Sequence, residues 1–174
     1  MQIWTIGHST RSLDAFLSIL GAHGIRQVTD VRRYPASRRW PHFSAESMAE
    51  TLPAAGVIYT GMPELGGRRK ARPDSPHTAW RVEAFRGYAD FMDTPEFAAG
   101  LAEVERLASG MPSALLCAEA LPWKCHRSLI ADSLVARGWE ARDVLSEKEA
   151  RPHRLPKFAR VEAGRVTYDV VEQK

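Results

Sequence analysis

QIWTIGHSTRSLDAFLSILGAHGIRQVTDV, residues 2–31, is the stretch that decides the fold. Gln2 to Ile6 is apolar and rich in β-formers, and Gly7-His8-Ser9-Thr10 interrupts it with a polar turn. Leu13, Phe16, Leu17 and Leu20 then recur at helical spacing until Gly24 stops the pattern, which predicts a strand, a turn and an amphipathic helix. Arg26 to Val31 is a second short strand running into the basic turn Arg32-Arg33-Tyr34-Pro35. A strand returning to a strand through a helix implies parallel pairing, since only a crossover of that length brings the chain back in the same direction.

Working outward, the alternation persists. Residues 44–52 predict a short helix, 57–60 a third strand and 82–92 a helix with Phe85, Tyr88, Ala89 and Met92 on one side. Thr94-Pro95-Glu96 opens the next helix, with Thr94 as N-cap and proline in the first turn. Residues 114–117 are a buried strand, a helix is expected to begin near Cys125 and end at Gly138, and 141–145 is strand-like. Pro152 to Lys157 reads as irregular, and 159–171 alternates around Ala163-Gly164 as a terminal β-hairpin. Residues 65–78 carry Gly66-Gly67, four basic residues and two prolines, a basic loop or flap. The expectation is a single α/β domain over residues 1–174 with a mostly parallel sheet of about five strands, helices on its flanks and ligands beyond the C-terminal strand ends.

Composition agrees with this. At 174 residues, 44% hydrophobic and 26% charged, the chain can bury a core without disulfides or a structural metal, so any metal here would serve function. MQIWTIGHST has no basic region followed by an apolar run, and no stretch approaches the length of a membrane span, which predicts a cytoplasmic protein and no membrane partner. Cys117 and Cys125 are then expected as reduced thiols. The net charge of +3 is unevenly placed: Arg26 to Arg72 holds nine basic residues against four acidic ones, and the remainder is slightly acidic. That segment predicts a positive cleft and an anionic partner, either a small molecule or a nucleic acid.

The densest chemistry lies in Cys117-Ala118-Glu119 and Lys124-Cys125-His126-Arg127. A helix starting at Cys125 would offer unpaired first-turn amides to an anion beside Lys124 and Arg127, and would lower the Cys125 thiol pKa. The competing readings are structural: Cys117 ends an apolar strand and fits core packing, His126 could simply pack, and Arg32 could serve only as an ion pair with Asp30. His8, Cys117, Cys125 and His126 are also acceptable zinc or iron ligands, although no CxxC or HExxH spacing occurs. The cysteine phosphatase spacing is missing, since Trp123 and Ala131 stand six residues beyond Cys117 and Cys125. Walker and GxGxxG loops are absent as well. Trp40, His42, Phe43 and Trp80 are aromatic neighbours of the basic segment that could stack on bases or pack in the core.

TIGHST, DVRRYPASRR, the Leu65-Gly66-Gly67 turn, WRVEAFRGYADFM and LLCAEALPWKCHRSLIADSLVARGW together resemble the domain of unknown function 488 family, and the likeness extends to PHRLPKFARVEAGRVTYDV. The resemblance implies an α/β domain of bacteria and archaea, with matching polar positions at Gly7, His8, Ser9, Asp30, Arg32, Pro35, Ser37, Gly66, Gly67, Cys117, Glu119, Cys125, His126 and Arg127. It brings no reaction. The residues themselves favour a phosphate-bearing ligand held by Arg32, Lys124, Arg127, Ser9, Ser37, Gly66 and Gly67, with Cys125, His126, His8 and Glu119 as candidate catalytic groups. The alternatives are a zinc or iron enzyme using the Cys/His cluster and a noncatalytic nucleic-acid adaptor using the basic face.

Overall fold

A computed structural model describes residues 1–170; Val171, the last residue of the expected hairpin, lies outside them. The elements in chain order are β1 (Gln2–Gly7), α1 (Leu13–Ala22), β2 (Gln27–Asp30), α2 (Ala45–Ala54), β3 (Ile58–Gly61), α3 (Glu83–Met92), α4 (Pro95–Gly110), β4 (Ser113–Cys117), α5 (Arg127–Ala136), β5 (Glu140–Ser146), β6 (Glu149–Pro152), β7 (Arg160–Glu162) and β8 (Arg165–Thr167). The sheet order is β3-β2-β4-β1-β5-β6, with every pair parallel except β5-β6. β7 and β8 form the separate terminal hairpin.

The five parallel strands stand where the apolar runs predict them. β6 is an addition. Its Pro152 argues against a strand in the sequence, but at the sheet edge a missing amide removes no ladder bond from an inner neighbour. Residues 65–78 form a loop pinned at several points: Tyr88 donates to the Leu65 carbonyl at 2.7 Å, and Asp90 accepts from the Arg72 amide at 2.8 Å and the Ser75 hydroxyl at 2.6 Å. Thr94 caps α4 as expected, accepting from the Phe97 amide at 3.3 Å.

The two faces of the sheet bury different clusters. Phe16, Ile19 and Leu20 of α1 pack with Met48 and Leu52 of α2 over Val28, Ala114 and Leu116, while Leu129, Ile130 and Leu134 of α5 join Tyr88, Leu101 and Val104 over Ile3 and Leu115. The chain therefore leaves β1 across one face and leaves β4 across the other. These adjacent strands are the switch point of the sheet, the position at which open α/β folds place ligands.

A buried polar chain runs beneath the α5 face. Arg127 Nε donates to Thr5 Oγ1 at 3.3 Å, Thr5 donates to Asp143 at 2.7 Å, His153 bridges Asp143 and Asp132 at 2.9 and 2.7 Å, and Tyr168 donates to Asp132 at 2.6 Å. Burial alone would push the His153 pKa down, but the two carboxylates raise it to about 9. A folded pKa above the unfolded value of about 6.5 makes this contribution complete below that pH, and it is lost as pH rises through about 9. Urea unfolding between pH 6 and 10 is expected to show that decline, and Asp143→Asn is expected to flatten it. An unchanged slope in the variant would contradict the assignment.

Candidate thiol and anion site

β1, β2 and β4 end at Gly7, Asp30 and Cys117, and the turns that follow them meet. Contact is tight: a β carbon at Gly7 would overlap the Glu119 carbonyl. The His8 and Ser9 amides continue the β1-β4 pairing by donating to the carbonyls of Cys117 and Ala118, both at 2.9 Å, with Ser9 taking a positive φ of 53°.

Cys117, Cys125 and His126 share a pocket of about 260 Å³. His126 Nε2 lies 2.8 Å from the Val31 carbonyl, a bond only an N–H can make. Nδ1 is therefore the lone-pair nitrogen of the neutral ring, and it faces Cys125 Sγ at 3.8 Å and Cys117 Sγ at 3.9 Å. A hydrogen bond from Cys117 is the largest influence lowering the Cys125 pKa; burial opposes it, and His126 and the Arg127 charge reinforce it. The same bond, with burial, raises Cys117. Of the two thiols, Cys125 is therefore the more readily ionised.

The walls carry Arg32, Arg33, Arg68 and Lys124, together with Tyr34, Phe85, Glu119 and Gly67. Arg32 is clamped by Asp30, Nε to Oδ1 at 2.8 Å and Nη2 to Oδ2 at 2.6 Å, and Tyr59 donates to the same carboxylate at 2.5 Å. The ion pair that competed with an anion-binding role is thus present, yet Arg32 still lines the pocket. Arg33 and Arg68 stand 5.6 and 5.8 Å from the ring of exposed Tyr34, and Arg68 takes a positive φ of 59°. Both belong to the basic segment, and the fold alone brings residues 33 and 68 to one rim.

Gly67 lines the pocket, and a β carbon there would stand 2.9 Å from His126 Nδ1. Gly66 packs against the Arg33 backbone, where a β carbon would overlap it. Gly67 thus lets the imidazole approach closely, and Gly66, which does not line the pocket, does the same for the Arg33 backbone. His8 lies outside the pocket lining. It stacks on Phe43 with ring centroids 4.4 Å apart, donates from Nδ1 to the Ser9 carbonyl at 2.8 Å and accepts from Arg32 at 3.3 Å. Burial is the main reason its pKa falls to about 4, so it is a neutral support for Arg32. Ser37 accepts from the Trp40 amide at 2.8 Å, a turn-forming bond, and neither Ser37 nor Ser9 lines the pocket.

The expectation of a helix beginning at Cys125 is corrected: α5 begins at Arg127, after a single 3-10 turn over Pro122–Lys124. The amides of Cys125, Ser128, Leu129 and Ile130 already bond to the carbonyls of Pro122, Cys125 and His126, so these four are not open to an anion. Arg127 is also absent from the pocket. It is fully buried and donates to the Glu119 and Ala120 carbonyls at 2.5 and 3.2 Å. Phe43 belongs to the core, and Trp80 lines a different cavity.

Cys117, Cys125 and His126 are also the one group of metal-type donors found together among the described residues, their donor atoms within 4.8 Å of one another. His8 is not part of that group. No helix among the described residues is long and apolar enough to cross a membrane. No curated protein and no solved structure matches the chain. A family model matches residues 12–134, a span that includes Arg32, Gly67 and the whole segment from Cys117 to Arg127. The chain belongs to the family described as Domain of unknown function DUF488.

Proposed function

We propose that the pocket binds a phosphate-bearing ligand, a nucleotide or nucleic-acid segment, and presents it to the Cys125–His126 pair for thiol chemistry. The observation that carries this reading is one arrangement: an imidazole fixed by the Val31 carbonyl, with its free nitrogen on two buried thiols, below a rim of four cations. In the reaction, the Cys125 proton passes to His126 Nδ1 and Cys117 donates a hydrogen bond to the resulting thiolate. The thiolate attacks the electrophilic centre of the ligand, and the His126 proton goes to the leaving group. Glu119, exposed on the wall, is a second acid or base within the same pocket.

The test separates the rim from the scaffold. Arg32 and Arg127 are poor probes, because both hold the fold together; Arg33, Arg68 and Lys124 are exposed. Calorimetric titration of inorganic phosphate and of a short single strand at low salt is expected to show binding. Each of Arg33→Ala and Lys124→Ala is expected to weaken it and, for the strand, to reduce the slope of log K against log salt by about 0.7. No binding by the wild type, or variants with unchanged slopes, would overturn the proposal.

The second reading is a zinc or iron centre held by Cys117, Cys125 and His126, with the fourth position open to the pocket. It is favoured by the convergence of the three donors and by the Val31 carbonyl, which orients the imidazole as outer partners of metal-bound histidines do.

A further inference from the structure

A cavity of about 560 Å³ adjoins the thiol pocket, lined by Trp80, Trp123, Pro122, Leu145, Arg154 and His153 among others. That volume suits a small organic ligand. Trp80 and Trp123 give it aromatic walls. Trp123, at 56% exposure, leaves much of a large aromatic surface in water. A flat heteroaromatic ring would cover that surface by stacking on it.

The position of the cavity narrows the class. One 3-10 turn is the wall between the two spaces: Pro122 and Trp123 line the cavity, while Lys124 and the following Cys125 line the thiol pocket. On another side, Trp80 of the cavity meets Phe85 of the thiol pocket with ring centroids 5.1 Å apart. A ligand reaching across that wall needs an aromatic ring at one end and an anion at the other. We infer that the tryptophan cavity is the base subsite for a nucleotide whose phosphate lies against the Arg33, Arg68 and Lys124 rim. The inference rests on the reading of that rim as a phosphate site.

The experiment uses the full chain. Inorganic phosphate, ribonucleosides and ribonucleoside 5′-monophosphates are titrated calorimetrically and by the ¹⁵N-indole resonances. At least one monophosphate is expected to bind about ten-fold tighter than inorganic phosphate, as base stacking on an aromatic allows, and to shift the Trp80 indole signal. Trp80→Phe keeps a smaller ring against Phe85 and removes part of the aromatic wall; Trp123→Ala removes an exposed aromatic surface. Trp123→Ala is expected to bring the monophosphate to within about two-fold of phosphate, the stacking advantage being lost, and Trp80→Phe to reduce that advantage in part, while phosphate affinity itself is unchanged in both. Monophosphates no tighter than phosphate in the wild type, or an advantage that survives both variants, would overturn the base subsite and leave the phosphate rim standing. If phosphate does not bind the wild type, the rim reading falls. A nucleoside that then still shifts the Trp80 signal, and loses that effect in Trp123→Ala, supports the base subsite, and an unmoved signal rejects it.

Discussion

Arg127→Met is expected to lower the unfolding free energy by about 3–5 kcal/mol, the usual cost of removing one member of a buried ionic network. Arg127 is fully buried, and its guanidinium bonds the Glu119 and Ala120 carbonyls and Thr5. Through Thr5 it joins Asp143, His153 and Asp132, so the formal charges of two cations and two carboxylates balance. Methionine fills much of the volume but leaves two carbonyls without a donor and a buried network with excess negative charge. Urea denaturation of both proteins at pH 7 checks this, and a difference under about 0.5 kcal/mol, the range of ordinary surface changes, would refute it. The result also separates two roles for this residue. An anion ligand would change phosphate affinity with little effect on folding, whereas a scaffold residue does the reverse.

The second large effect concerns the thiol. At pH 6.5 an ordinary cysteine is about 1% thiolate. Cys117 and His126 hold the Cys125 pKa well below the ordinary value, so its thiolate fraction is larger. His126→Gln places an amide N–H where Nε2–H donates to the Val31 carbonyl, so the turn is retained while the base at Nδ1 is lost. Iodoacetamide labelling of Cys125, followed by mass spectrometry under reducing conditions, is expected to slow by about ten-fold in that variant. The thiolate fraction falls, while the Cys117 hydrogen bond remains and the thiolate of higher pKa is the better nucleophile, so the loss is only partial. Equal rates in the two proteins would remove His126 as the activating base. The same measurement bears on the metal reading: zinc on three donors would block labelling of the protein as purified until a chelator is added, and elemental analysis would find the metal.

Much of the fold is written in local patterns. The apolar spacing of Leu13, Phe16 and Leu20, the cap at Thr94 and the five-residue strand ending at Cys117 all follow from periods and turn chemistry that neighbouring residues set among themselves. β6 was not legible because Pro152 masks a strand whose existence depends on the edge position. The start of α5 was not legible either: a helix boundary two residues off moves Cys125 and His126 from the helix into the turn before it.

By itself the sequence determined the parallel α/β architecture, the basic excess between Arg26 and Arg72, and the Cys117, Cys125 and His126 set from which chemistry could be built. Only the tertiary structure decided which side chains share a space. It turned Arg127 inward, tied Arg32 to Asp30, left His8 behind that ion pair, and brought Arg33 and Arg68 to one rim. The physical reason is that periodicity reports which face of an element is buried, whereas the partner a buried charge finds depends on strand order and on turns that meet across the sheet.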